Sequence, residues 1–158
     1  MDLTLTTQSL GQTQALAADL GKLLRGGEVF ELRSDIGGGK TAFTKGLARG
    51  MGIDAPVQSP TFTISRVYAA ADGLELHHYD FYRLDDAGIM SAELAESLQE
   101  PQAVTVIEWG AVVEHVLPEG RIQVVLTPLT ETSRRIEVSL PPGFDYLATA
   151  LRTEETPQ

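Results

Sequence analysis

An α/β fold with a mixed sheet flanked by helices is predicted by three features of the sequence. A glycine-rich run, S-D-I-G-G-G-K-T (residues 34–41), stands between an apolar strand-like segment and an amphipathic helix-like one. The apolar run V-T-V-I (104–107) has the character of a central parallel strand buried on both faces. Two pairs of alternating segments, 61–69 with 74–79 and 121–126 with 134–140, read as antiparallel hairpins. A single domain over residues 1–152 accommodates all of these, and residues 153–158 form a polar, frayed tail.

The elements follow in order. Residues 2–7 alternate weakly and suit a short edge strand. Ser9 and Gln12 have capping-box spacing ahead of a helical stripe made by Leu16, Leu20, Leu23 and Leu24. Gly26 and Gly27 end that helix. Residues 28–33, with Val29, Phe30 and Leu32, form the buried strand before the glycine-rich run. After it, Phe43, Leu47 and Met51 recur every fourth residue, as one buried helix face does, and Gly50 and Gly52 mark its end. Residues 55–65 hold two prolines and read as a loop. Asp72 and Gly73 supply the turn of the first hairpin. Residues 85–100 are acidic, rich in Leu and Ala, and helical, and Pro101 closes them.

Composition sets bounds. The chain has 158 residues, 42% hydrophobic and 22% charged, enough for one core. It has no cysteine, which excludes disulfides and thiolate metal sites and suits a reducing cytoplasm. No apolar run is long enough to span a membrane, and no signal peptide opens the sequence. Twelve basic residues against 22 acidic give a net charge of −10, which argues against direct grip on a nucleic-acid backbone. That charge either keeps the chain soluble or matches a basic protein partner.

The glycine-rich run has the residue types that phosphate binding requires. Gly37, Gly38 and Gly39 let phosphate oxygens approach the backbone and permit positive φ. Their N–H groups, with the helix that follows, favour an anion. Lys40 supplies a mobile charge to the outer phosphates, and the Thr41 hydroxyl is placed to ligate Mg²⁺. Ser34 stands where the usual pattern G-x-x-x-x-G-K-[ST] begins with glycine. The domain is therefore read as P-loop NTPase-like.

Such a site needs carboxylates at strand ends to hold Mg²⁺ and orient water. Glu108 follows V-T-V-I directly, and Asp80 follows L-E-L-H-H-Y. Spacing does not choose which of the two meets the metal first. His77 and His78 point to opposite faces of a strand, so the pair does not chelate one ion, and packing or hydrogen bonding is expected of them. His115 is isolated. Trp109, the only tryptophan, either stacks on a base, walls the pocket or serves the core.

Four segments in order carry a resemblance: S-D-I-G-G-G-K-T (34–41), S-P-T-F (59–62), H-Y-D-F-Y-R-L (78–84) and I-E-W (107–109). A Leu-Pro ahead of a basic residue and strand (117–126) adds to them. Together they resemble the TsaE (YjeE) family, bacterial P-loop ATPases of tRNA threonylcarbamoyladenosine biosynthesis, over roughly residues 9–140. The resemblance implies ATP and Mg²⁺ as ligands. It implies nucleotide binding by Asp35, Gly37, Gly38, Gly39, Lys40, Thr41 and Ala42, with Trp109. It implies metal binding by Thr41, Glu108 and Asp80, and catalysis by Lys40, Asp80, Glu108 and Thr61. Thr61 would sit in a switch-like loop near the γ-phosphate, and Tyr82 and Arg83 would shape the site or meet a partner. The implied partners are TsaB and TsaD, with tRNA reached only through the complex and no membrane involved. Gly110 and Ala111 depart from the polar residues that commonly follow I-E-W in the family.

Two other readings use the same loop. A small phosphotransferase would hand the γ-phosphate to a metabolite, but it needs an arginine-bearing lid, and the twelve basic residues are spread thinly. An interaction module would keep its nucleotide unhydrolysed, but it would not need Thr61, Asp80 and Glu108 together.

Overall fold

The computed structural model describes residues 1–34, 39–57, 65–82 and 88–152. Seven strands occur among them: β1 (Asp2–Thr7), β2 (Val29–Arg33), β3 (Ser65–Ala69), β4 (Glu75–Asp80), β5 (Ala103–Glu108), β6 (Ile122–Pro128) and β7 (Arg134–Ser139). They form one sheet in the order β1-β7-β6-β2-β5-β4-β3. The central pairs β6–β2, β2–β5 and β5–β4 are parallel. The outer pairs β1–β7, β7–β6 and β4–β3 are antiparallel. Both expected hairpins and the expected edge strand are present, and the chain is a single α/β domain with a mixed sheet.

Burial follows position. All six residues of β5 are buried, because layers cover both faces of the sheet centre. In β6 and β7 burial alternates, so only one face of that half is packed. The larger core joins Leu76, Val104, Val106, Phe30, Leu32, Val124 and Ile136 of the sheet to Leu16, Leu20, Phe43 and Leu47. The last four belong to helices α1 (Leu10–Gly21) and α2 (Lys40–Gly50). Helix α4 (Ala148–Arg152) adds Leu151 to the same face. The opposite face is covered by helix α3 (Ile89–Ser97) and a 3₁₀ segment, Gly110–Val116, through Leu94 and Val113 against Tyr79, Phe81 and Ile107.

Local chemistry fixes the helix ends. Ser9 Oγ accepts the Gln12 N–H at 3.1 Å, so the expected cap forms. Gln12 Oε1 accepts from Gln8 N rather than from the cap residue. Helix α1 stops at Gly21, earlier than the Leu stripe implied, and Leu23 and Leu24 continue it as single turns bonded to Leu20 O and Gly21 O. The buried Glu28 carboxylate accepts the N–H groups of Arg25 and Gly26 and the Tyr146 hydroxyl, tying the start of β2 to the C-terminal region.

Helices α1 and α2 touch backbone to backbone. A β-carbon on Gly46 would lie 2.4 Å from Gln14 O, and one on Gly50 would lie 2.0 Å from Ala18 O. Gly50 therefore does more than mark a helix end: it sets the distance of α2 from α1, and so the position of the residues at the N-terminus of α2.

Candidate functional site

The site is built where the parallel strands end. Strand β2 leads out of the sheet at Arg33, and the chain returns at Gly39 to begin α2. Gly39 has φ +103°, a conformation that costs any residue with a β-carbon. Of the expected nucleotide-binding residues, Gly39, Lys40, Thr41 and Ala42 occupy this junction. Asp35, Gly37, Gly38, Thr61 and Arg83 lie outside the described residues.

Lys40 is 7% exposed. Its Nζ donates to the Ser34 carbonyl at 3.1 Å and sits 4.4 Å from the centre of the Trp109 ring. The ammonium is thus held at the loop by a carbonyl and an aromatic face. Trp109 is held in turn by Tyr82, whose ring centre is 5.0 Å away. Trp109 has φ 59° and ψ 49°, and it is the one non-glycine residue with positive φ among those described. This strained backbone lies at the turn from β5 into the 3₁₀ segment and swings the indole toward Lys40.

Strand register brings the two carboxylates together. Asp80 and Glu108 end β4 and β5 and are direct partners in the parallel pairing, and Glu108 also lies opposite Leu32 of β2. Glu108 is 2% exposed, and its Oε2 accepts from Nε2 of the fully buried His78 at 2.7 Å. Asp80 Oδ1 accepts the Tyr82 N–H at 3.0 Å. Burial pushes the Asp80 carboxyl above the ordinary carboxylate value. The Tyr82 N–H opposes this, the negative Glu108 adds to it, and His78 and Lys40 oppose it. Lys40 and Glu108 thus both act electrostatically on Asp80, and the Trp109 ring lies against Lys40.

Other residues complete the site without a sequence signal. Glu31 is 2% exposed and faces the cleft beside Trp109. It accepts from Arg33 Nη2 at 3.0 Å and from Arg121 Nε at 3.1 Å. Arg121 also donates to Glu114 at 2.7 Å and to the Pro118 carbonyl. Burial alone would lower its proton affinity, but Glu31 and Glu114 raise it. The cleft has a volume of about 330 Å³ and is lined by Glu31, Arg33, Ser34, Trp109 and Gly110, among others. Gly110 is fixed by this packing, since a β-carbon there would lie 3.1 Å from Glu31 Oε2 and 3.2 Å from Ile107 Cγ2. The buried Arg134 donates to the carbonyls of Thr130, Glu131 and Ser133, and its Nε lies 3.7 Å from where a Gly39 β-carbon would stand. In the sequence Arg134 was legible only as a strand residue.

Comparison with known proteins bears on the family and the fold. The model of the family "Threonylcarbamoyl adenosine biosynthesis protein TsaE" matches residues 7–136. The TsaE protein of Bacillus subtilis is 39% identical over 127 residues, covering 79% of this chain and 77% of that protein. The TsaE protein of Treponema pallidum is 37% identical over 133 residues, covering 84% and 97%. The crystal structure of YdiB from Bacillus subtilis superposes with a TM-score of 0.78 at 30% identity, over 99% of this chain and 97% of that one. With a matching family model, relatives similar over most of their length and the same fold, the chain belongs to the TsaE family.

Proposed function

We propose that this chain is the Mg²⁺-dependent, ATP-hydrolysing component of tRNA threonylcarbamoyladenosine biosynthesis. The observation that carries the reading is the Asp80–Glu108 register pair beside Lys40, at the start of α2. The pathway comes from the family and from the names of the relatives. Among the described residues no helix is long and apolar enough to cross a membrane. A role in tRNA modification assigns the chain to the cytoplasm.

Each residue has a role in this reading. Lys40 would bind the outer phosphates. Gly39, with Asp35, Gly37, Gly38, Thr41 and Ala42, would present backbone N–H groups to them. The Thr41 hydroxyl and the carboxylates of Glu108 and Asp80 are hard oxygen donors, and that donor set fits Mg²⁺. The cation would neutralise charge on the phosphate oxygens. Glu108, already oriented by His78, is assigned to the metal's ligand shell. Asp80, whose proton affinity is raised, is assigned to orienting water and accepting its proton. Thr61 is assigned to the γ-phosphate. Trp109 would contact the nucleotide from the cleft side.

The acidic surface suits assembly with protein partners, TsaB and TsaD, rather than direct tRNA contact. The test measures phosphate release from ATP–Mg²⁺ by the chain alone and with TsaB and TsaD, with Trp109 emission as the binding signal. The reading predicts that ATP–Mg²⁺ changes the emission, raises the melting temperature and is hydrolysed faster with the partners present. Unchanged emission and melting temperature, with no turnover in the complex, would sink it.

A further inference from the structure

His77 projects from the opposite face of β4 to His78, toward α3. It is 6% exposed, its Nδ1 lies 2.6 Å from Ser97 Oγ, and its Nε2 has no hydrogen-bond partner among the described residues. A buried ring nitrogen without a partner costs stability unless something else binds it. The facing Glu75 Oε1 is 3.8 Å away, too far for a hydrogen bond. Glu75 precedes His77 by two residues on the same strand face, and Glu100 brings a second carboxylate from the turn between α3 and β5. Ligand atoms of the three side chains lie within 4.8 Å of one another. Gln102 Nε2 draws the carboxylates together, donating to Glu75 Oε1 at 3.0 Å and to Glu100 Oε2 at 2.9 Å. The corner is electronegative as well. Burial first, and then Glu93, Glu100 and Glu96, push the neighbouring Tyr79 hydroxyl above its ordinary value, against a hydrogen bond with Ser97.

We propose that Glu75, His77 and Glu100 form a second metal site, for a divalent transition metal of which Zn²⁺ is the best fit. One imidazole and two carboxylates suit Zn²⁺, with solvent in the fourth position. Bonds of about 2.0–2.2 Å in a tetrahedron place ligand atoms roughly 3.3–3.5 Å apart, so the His77–Glu75 gap closes by only a few tenths of an ångström. The Nδ1–H of His77 donates to Ser97 Oγ and leaves a lone pair on Nε2 for the metal, the usual way a neighbouring group orients a histidine ligand. Gln102 keeps its bonds, because a carboxylate oxygen carries two lone pairs. Glu75 lies five residues along β4 from Asp80, roughly 16 Å at strand rise and on the other face, so this site is separate from the nucleotide's. The metal would staple β4 to the turn that follows α3, and with it the docking of Leu94 on Tyr79 and Phe81.

The test uses the untagged full-length chain freed of metal by chelation. Zn²⁺ is titrated against a chromophoric competitor, and Co²⁺ is added in parallel for its visible spectrum. One equivalent of Zn²⁺ should bind and raise the melting temperature, and Co²⁺ should give the intense bands of a four-coordinate site. His77→Asn and Glu100→Gln should each weaken Zn²⁺ binding about tenfold or more, while Glu108→Gln should leave it unchanged. Glu100→Gln alters an accessible carboxylate, so it keeps the test sound if His77→Asn folds poorly. Three outcomes overturn the proposal: no saturable Zn²⁺ binding, binding unaltered in Glu100→Gln, or binding lost in Glu108→Gln. The last would place the metal at the nucleotide site.

Discussion

His78 Nε2 and Glu108 Oε2 lie 2.7 Å apart, and the two side chains are 0% and 3% exposed. A carboxylate this deep is tolerated because a donor meets it, and removing the donor strands the charge. His78→Ala should therefore cost about 3 kcal/mol in folding free energy, read by urea denaturation. It should also lower Mg²⁺-dependent turnover by about 10- to 100-fold, because Glu108 loses the group that orients it. His78→Gln can still donate to Glu108 and should recover part of both losses. Full turnover in His78→Ala would remove Glu108 from the metal's shell.

Lys40 stands between Ser34 and Trp109, and its Nζ makes a 3.1 Å bond and a 4.4 Å ring contact. Lys40→Ala should lower turnover by about 10²–10³-fold, the scale of losing one preorganised charge contact to the transition state. The carbonyl bond and the ring contact that it gives up are each worth about 1 kcal/mol, so the variant should still fold. Trp109 is the only tryptophan, so its emission should shift in the variant even without nucleotide. Wild-type turnover in Lys40→Ala would displace the site from this loop.

Asp80 holds its proton to higher pH in the folded chain than in the unfolded one, because it is buried and faces Glu108. Below the ordinary value of 3.8 both states are protonated and its contribution is fully present. As pH rises from there through the folded-state pKa, that contribution is lost, and the ionised carboxylate then weighs against folding. Asp80→Asn should melt higher than wild type at neutral pH, by about 1–2 °C in chelator without nucleotide. The gap should vanish near pH 3.8, and turnover should fall even though the protein is more stable. Calorimetry from about pH 3.5 to 8 checks this, and a variant that melts lower at neutral pH would show that the Asp80 bond to Tyr82 outweighs its burial.

The sheet was legible because its signals are local. Alternation exposes β6 and β7, and a continuous apolar run exposes β5. Glu108 and Asp80 were legible as charges set directly after such runs. What the sequence hid depends on pairings between distant segments. The His78–Glu108 bond spans 30 positions, and the Glu31–Arg121 pair spans 90. Glu31 follows the alternation of a strand, and nothing local marks it as buried. The 3₁₀ segment Gly110–Val116 and the short α4 are too brief to show a helical period. The sequence marks His77 for packing or hydrogen bonding, because the adjacent His78 points to the opposite strand face. In space the His77 Nδ1 meets Ser97 Oγ, and the carboxylates of Glu75 and Glu100 lie nearby.

Gly50 illustrates the same limit and yields the last prediction. In sequence it reads as a helix stop, but in the fold it is where α2 meets the backbone of α1, with Ala18 O at 2.0 Å from any β-carbon placed there. Ala18 Cα and C would lie at 2.9 and 2.8 Å, so the clash is with backbone and cannot be relieved by a rotamer change. Gly50→Ala should force the helices apart and destabilise the chain by roughly 2–3 kcal/mol, read as a lower denaturation midpoint with an unchanged slope. Because α2 begins at Lys40, the displacement should also weaken nucleotide binding, although Gly50 lies ten residues along the helix from the loop. Gly52→Ala is the comparison. A β-carbon there meets nothing within 4 Å, so its cost comes only from the φ of +81°. That substitution should lower stability while leaving nucleotide affinity as in wild type. Equal losses of affinity in the two variants would show that the spacing of α1 and α2 does not position Lys40.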